Sequence, residues 1–179
     1  MVELLVSLVI VLILTAVALP SLTFSYRAYQ LNDSASRLSA MLKFTRFEAI
    51  RLNRLVPCRI QQNGTDWLVW TDSINNGTPD PGEMQFLVTG NSTLLPSGTP
   101  PAPAAILAAI GAGTLTVASG TNTSIFLDHR GAVSPSATYV MYIGSSTNPE
   151  FGYRAVVLLP SGVTQVWTAP SGGAWQRVS

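Results

Sequence analysis

The chain has 179 residues, 47% of them hydrophobic and 11% charged, with a formal net charge of +1. That is enough for one domain with its own core, and it is too apolar for a disordered chain or a wholly basic nucleic-acid binder. One cysteine, Cys58, and one histidine, His129, exclude an internal disulfide, a Cys/His zinc cage and most nucleophile pairs.

The excess hydrophobicity lies at the front. Met1 to Leu19 is apolar except for Glu3, Ser7 and Thr15. As a helix this stretch rises roughly 28 Å, close to the ~30 Å hydrocarbon core of a bilayer, so it predicts a membrane-spanning helix. A cleavable signal peptide is the competing reading. It fits less well, because the charge ahead of the apolar run is the acid Glu3 and no small-residue cleavage pattern precedes Pro20. A carboxylate at Glu3 costs about 2.5 to 3.5 kcal/mol inside the hydrocarbon, so it calls for a cationic partner unless it sits in water at the bilayer edge. The first positive side chain is Arg27, roughly 36 Å further along the helix, so that partner must be a chain terminus or come from another chain.

Pro20 ends the fully apolar run, and a helical pattern resumes behind it to about Arg54, which predicts one long helix bent at Pro20. Leu31, Ala35, Leu38, Leu42, Ala49, Leu52 and Val56 follow the spacing of one helical face, with Arg37, Lys43, Arg51 and Arg54 mostly off it. Residues 1–60 hold seven basic and three acidic side chains, +4 net, and the remainder holds three basic and six acidic, −3 net. Such an asymmetry fits complementary contacts between copies, or simply two solvated faces. The expected division is residues 1–27 as the membrane or filament half of the helix, and 28–179 as a globular domain whose helical part ends near 55.

Pro57 forbids further helix, and strands are predicted at Cys58 to Gln62, Trp67 to Thr71, Met84 to Val88, Thr114 to Ala118, Ser124 to Asp128, Thr138 to Ile143, Tyr153 to Leu159 and Val163 to Thr168. They should pair mostly antiparallel, since no alternating helices provide parallel crossovers. Asn63-Gly64 marks a turn within a connection longer than two residues, and Arg130-Gly131 and Pro160-Ser161-Gly162 mark two more. Ser97 to Pro103 reads as an exposed Pro-rich loop. The class is α+β.

Met1-Val2-Glu3-Leu4-Leu5, the apolar run behind it and Pro20 resemble the mature amino terminus of type IV pilins and type II secretion pseudopilins. Arg46-Phe47-Glu48-Ala49-Ile50-Arg51-Leu52-Asn53, Trp67-Leu68-Val69-Trp70, Asp72 to Glu83, Phe126 to Gly131 and Arg154 through Gly162 resemble, in order, the GspH/FimT branch of that superfamily. Phe47 stands where a small residue is more usual, and the chain ends Trp175-Gln176-Arg177-Val178-Ser179 where many relatives carry an Arg-rich, cysteine-containing segment. The resemblance implies a pilin fold, a long kinked helix packed on an antiparallel β-sheet domain. It implies a minor pilin or pseudopilin that copolymerises with other pilin subunits in a type IV pilus or a secretion pseudopilus. Before assembly, such a subunit is held in the bacterial inner membrane with its globular domain outside the cytoplasm. It further implies a short basic leader ending in Gly and a following Phe ahead of the present sequence, a prepilin peptidase acting on that precursor, and a methylated terminal amine. Glu3 would neutralise the terminal amine of a neighbouring subunit, and Pro20 would set the bend between filament core and globular domain.

Asp72, Asn76, Gly77, Asp80 and Glu83 stand at positions 1, 5, 6, 9 and 12 of a calcium-loop pattern, although Ile74 replaces a third oxygen ligand. The same residues also suit a plain polar connection, with Asn76-Gly77 and Pro81-Gly82 as turns. DNA capture and surface adhesion are the alternative functions, since some FimT relatives serve DNA uptake. Arg130, Arg154 and Arg177 are the only cations after Arg59, few for phosphate binding. Helical Arg46, Arg51 and Arg54 are expected to face neighbouring subunits. Catalysis is not expected, because His129 has no fixed-spacing partner and Ser161 sits in a Pro-Ser-Gly turn. Cys58 reads as a small buried residue, and the sequons at Asn63, Asn91 and Asn122 as polar turns.

Overall fold

The computed structural model describes residues 2–90 and 92–178, with the side chains of Leu5, Val17, Ala18 and Pro20 outside that description. Helix α1 is a single 51-residue element, Val2–Leu52. Its backbone stays helical through position 20, and the Pro20 side chain, expected to set the bend, lies outside the described residues. Asn53 ends the helix by adopting a left-handed φ of 50°, while the amides of Asn53 and Arg54 turn back onto the carbonyls of Ile50 and Ala49. The helix therefore stops before Pro57 can interfere. Val56, expected on the helical stripe, begins the first strand and is buried with Ala49 and Leu127.

The strands are β1 (Val56–Asn63), β2 (Asp66–Thr71), β3 (Gln85–Val88), β4 (Thr93–Leu95), β5 (Thr116–Val117), β6 (Asn122–Leu127), β7 (Tyr139–Gly144), β8 (Tyr153–Leu158), β9 (Thr164–Ala169) and β10 (Gln176–Arg177). They form two sheets. One has the order β3-β2-β1-β6, and the other β10-β9-β8-β7-β4 with β5 added parallel to β7. The α+β class and the long helix on an antiparallel β domain stand; the strands divide into two sheets, with β5–β7 a parallel pair. The β1–β2 connection is shorter than expected: pairing runs out to Asn63↔Asp66, leaving Gly64 and Thr65 as a two-residue loop with Gly64 at φ +64°.

Four elements were absent from the sequence reading: β4, β10, the short helix α2 (Ala104–Ile110) and a 3₁₀ turn at Pro149–Phe151. Helix α2 is capped by left-handed Gly111 and buries Ile106 on the outer face of the six-stranded sheet, beside Leu95, Val140, Tyr142 and Trp167. The Pro-rich stretch ahead of it is not wholly exposed. Pro100 is buried, and the Pro101 carbonyl accepts a hydrogen bond from Trp175 Nε1 at 3.0 Å.

The helical stripe occupies the ground between the sheets. Leu31, Ala35, Leu38, Met41 and Leu42 pack with Cys58, Ile60, Trp67 and Val69 of the first sheet and with Met141, Ile143, Val156 and Leu158 of the second. One polar pin reaches each sheet: Thr45 Oγ1 lies 2.7 Å from Thr71 Oγ1, and Ser39 Oγ lies 3.1 Å from Thr164 Oγ1. Each replaces helix hydration that packing removes. Cys58 is buried as expected, and burial pushes its thiol up to about 12, so it is inert at neutral pH.

At the far end of the helix two glycines let two turns meet each other against the side chains of α1. A Cβ at Gly131 would stand 2.7 Å from Arg46 Nε and 2.9 Å from Ile50 Cδ1, and one at Gly162 would run into the Gly131 carbonyl oxygen. Val133 N–H donates to the Pro160 carbonyl at 2.9 Å across the same contact. Asp128 holds the turn from below: its Oδ1 accepts the amides of Arg130 and Ala132, both at 2.9 Å, and these bonds hold its carboxyl below the usual carboxylate range.

Residues 28–179 should therefore form a soluble monomer with one cooperative melt, because both sheets and the stripe that covers them are retained. In that fragment Gly162→Ala adds a clash to the cost of a left-handed residue, about 3 kcal/mol together, or on the order of 8 °C in melting temperature for a domain of this size. Gly172→Ala, at φ +71° with nothing within 4 Å of its Cβ position, should cost only about 1 kcal/mol. Equal melting of the two variants would sink the close approach of the Gly131 and Gly162 turns as a structural requirement.

Candidate functional site

The amino-terminal half of α1 carries the surface that the rest of the chain leaves uncovered. Its most apolar 18-residue window is 0% buried. Three of its hydroxyls are satisfied inside the helix: Ser7 Oγ donates to the Glu3 carbonyl at 2.8 Å, Thr15 Oγ1 to Val11 at 2.7 Å and Ser25 Oγ to Ser21 at 3.0 Å. This is how short polar side chains are accommodated in lipid. Among the described residues the ion pairs are Arg37–Asp33, Arg51–Glu48 and Arg59–Asp72, so exposed Glu3 belongs to none of them.

The next exposed surface lies on the carboxy-terminal half of α1, where Phe47 and Ile50 are 60% and 48% exposed with Lys43 one turn before them. The three helical arginines expected to face neighbours are engaged within the chain. Arg46 packs on Gly131, Arg51 grips Glu48 through Nε at 3.0 Å and Nη2 at 2.6 Å, and Arg54 Nη2 donates to the Ser73 carbonyl. Arg51 and Arg54 stay exposed while making these bonds, so this part of the helix presents the apolar pair Phe47 and Ile50 together with two arginines.

The Asp72–Glu83 segment is a closed loop held by its own carboxylates. Asp72 is fully buried; its Oδ2 accepts from Arg59 Nε at 2.6 Å and from Gly77 N–H at 2.8 Å, and its Oδ1 from Asn76 N–H at 3.1 Å. Burial alone would raise the Asp72 carboxyl, but these bonds together outweigh it and hold the group below the usual range. Glu83 Oε1 accepts the amides of Ser73 at 2.7 Å and Ile74 at 3.3 Å, and its Oε2 that of Asp80 at 3.2 Å. Asp80 Oδ2 takes the Asn76 side-chain amide at 2.6 Å. The oxygens that a cation would need are thus occupied by N–H donors. Among the described residues no group of three or more His, Cys, Asp or Glu side chains is placed to hold a metal.

The Arg59–Asp72 pair was invisible in the sequence. Its partners are a strand cation and a loop acid, and only the β1–β2 register, Cys58↔Thr71 and Arg59↔Trp70, brings them together. Trp70 Nε1, on the same face as Arg59, and Arg46 Nε are buried with no hydrogen-bond partner among the described residues.

The structure does not gather the three carboxy-terminal arginines. Arg130 sits in the exposed turn beside Gly131, at the far end of α1. Arg154 Nε donates to Asn32 Oδ1 at 2.6 Å, roughly 20 Å nearer the amino terminus. Arg154 shares a row with Thr168 and Gln176, whereas Arg177 shares the next row with Trp167, so alternation sends these two arginines to opposite faces of the sheet.

Removing the Asp72 acceptor should be costly, because Arg59 is then left largely buried without its counter-charge. Asp72→Ala is expected to destabilise by about 3 kcal/mol. A depressed folded-state carboxyl stabilises the fold above its unfolded value near pH 4, and that stabilisation is lost as pH falls through the folded value. Asp72→Asn should accordingly flatten the fall in melting temperature below about pH 4. Adding ~10 mM calcium should leave the melting curve in place. A rise of several degrees abolished by Glu83→Gln would instead make the loop a cation site.

A family model of the type II transport protein GspH matches residues 34–162. No curated protein gives a significant match. The fold is similar to the Pseudomonas aeruginosa type IV minor pilin FimU in two crystal forms. One has a TM-score of 0.52 at 14% identity, covering 83% of this chain and 98% of that one. The other has 0.53 at 15% identity, covering 84% and 94%. The family match spans the amphipathic half of α1 and both sheets through the Gly162 turn, the same segments that build the domain described above. The chain belongs to the GspH family of type II transport proteins, within the GspH/FimT branch of the type IV pilins and pseudopilins.

Proposed function

We propose that the protein is a structural subunit, a minor pilin or pseudopilin, that copolymerises through the amino-terminal half of α1 into a type IV pilus or a type II secretion pseudopilus. The observation that carries this reading is the division of one helix: its second half is locked between two sheets, while the long apolar window of its first half is uncovered. A helix of that kind is stable only in lipid or among like helices. The family and fold support the same role. Before assembly the apolar half would span the bacterial inner membrane, with the domain outside the cytoplasm and prepilin peptidase acting on the full-length precursor. After assembly the domain would stand in a periplasmic pseudopilus or an extracellular pilus. Phe47 and Ile50 supply a second exposed apolar contact to neighbouring subunits. A DNA-capturing role is not favoured, since Arg130, Arg154 and Arg177 stand on separate surfaces and phosphate binding needs them grouped.

In this reading Glu3 neutralises the terminal amine of an adjacent subunit, and burying the two charges together offsets most of the cost of burying either. Glu3→Ala in the full-length precursor should leave membrane insertion intact. It strands the neighbour's ammonium at about 3 kcal/mol, so incorporation should fall on the order of a hundredfold. Immunoblots of sheared filaments at matched expression provide the measurement, and normal incorporation of the variant would remove the assembly role from Glu3.

A further inference from the structure

The membrane-spanning reading proposed above sets the height of the domain, and the inference drawn from it rests on that reading. From Val2 to Leu22 the helix carries no positive charge and rises roughly 30 Å, the thickness of the hydrocarbon core. Phe24, Tyr26, Arg27 and Tyr29 follow within about the next 10 Å, the depth at which aromatic rings and cationic stems settle among headgroups. Phe24, Tyr26 and Tyr29 are 50%, 60% and 68% exposed, far more than core aromatics would be.

The domain does not start above this band. A 3₁₀ turn, Pro149–Phe151, brings the Phe151 ring to 5.7 Å from the Phe24 ring at an interplanar angle of 51°. With Ala28, Glu150, Arg154 and Pro170, the two rings line a cleft of about 240 Å³ between α1 and the lower edge of the six-stranded sheet. Glu150 and Pro170 are exposed. Arg154 is held in place by Asn32 Oδ1 at 2.6 Å and by the Tyr153 carbonyl at 2.9 Å from Nη1. Whatever height Phe24 takes, this edge shares it.

We propose that the lower edge of the domain, Pro149–Phe151 with Pro170, is a membrane-contact ledge that seats in the phospholipid headgroup layer beside α1. Phe24 and Phe151 enter the interface as a tilted aromatic pair. Arg154 and Glu150, a base and an acid lining one cleft, match the phosphate and the ammonium of a zwitterionic headgroup. The ledge adds to the helix a second attachment on one side only, and so holds the domain in one orientation about α1.

The full chain in nanodiscs of phosphatidylethanolamine with a minority of phosphatidylglycerol tests this by nitroxide depth measurement. Cys58 is fully buried with its thiol pushed up to about 12, so labels go only to introduced cysteines. Leu12→Cys reports the helix, Glu150→Cys the ledge, and Ser161→Cys the exposed turn at the opposite end of the domain. The expected result is a deep label at 12, one in the headgroup layer at 150 and an aqueous one at 161, with the label at 150 several-fold less reachable by a water-soluble relaxant than that at 161. Adding Phe151→Ser should move the label at 150 toward the value at 161. A deep label at 12 with equal, fully aqueous labels at 150 and 161 would overturn the ledge and leave the spanning helix standing. An aqueous label at 12 would overturn both.

Discussion

The structure depends on one strip of α1, from Leu31 to Leu42, serving as the common floor of two sheets that share no continuous hydrogen-bond ladder. Each sheet turns an apolar face toward it: Cys58, Ile60 and Val69 from one, Met141, Val156 and Leu158 from the other. Without the helix both inner faces would be wet; the direct tie between the sheets is local, Trp67 Nε1 donating to Thr93 Oγ1 at 2.9 Å. The buried residues along the strip are therefore shared between two packing problems, which is why small Ala35 alternates with Leu31 and Leu38.

Polar chemistry in this molecule serves the same end. The hydroxyl pairs Thr45–Thr71 and Ser39–Thr164 register the helix against each sheet. The Arg59–Asp72 pair fastens a long loop to the outer face of the first sheet. A buried ion pair adds little net stability beyond what apolar side chains would supply, but it fixes one arrangement, since either charge alone would be expensive to bury. A loop rich in carboxylates is thereby turned into a rigid element with little charge to offer solvent. The same logic applies to Glu48, whose buried carboxylate is answered by Arg51 one turn later.

Function separates along the helix axis. The half that packs is amphipathic and belongs to the domain; the half that does not is largely apolar and uncovered, which is what the proposed role uses. Phe24 and Ala28 mark the transition, where the lower edge of the domain first meets α1. In the proposed role, lipid around the apolar stretch could be exchanged for neighbouring helices without disturbing the core.

Much of this was legible in the sequence, because it rests on local periodicity. The apolar run from Met1 to Leu19, the stripe of Leu31, Ala35, Leu38 and Leu42, the turns at Asn63-Gly64 and Arg130-Gly131 and eight of the ten strands are short-range signals, and the amino-terminal motif pointed to the family. What tertiary structure alone decided are matters of long-range pairing. Strands β4 and β10 exist because a neighbour offers an edge, not because three or two residues prefer extension, and α2 exists because Ile106 finds the outer face of a sheet. Asp72 and Glu83 carry the spacing of a cation loop, yet their oxygens went to backbone amides and Arg59, since a donor delivered by strand register satisfies a carboxylate as well as an ion does. Spacing along a chain states which groups are available; only the fold states which of them meet.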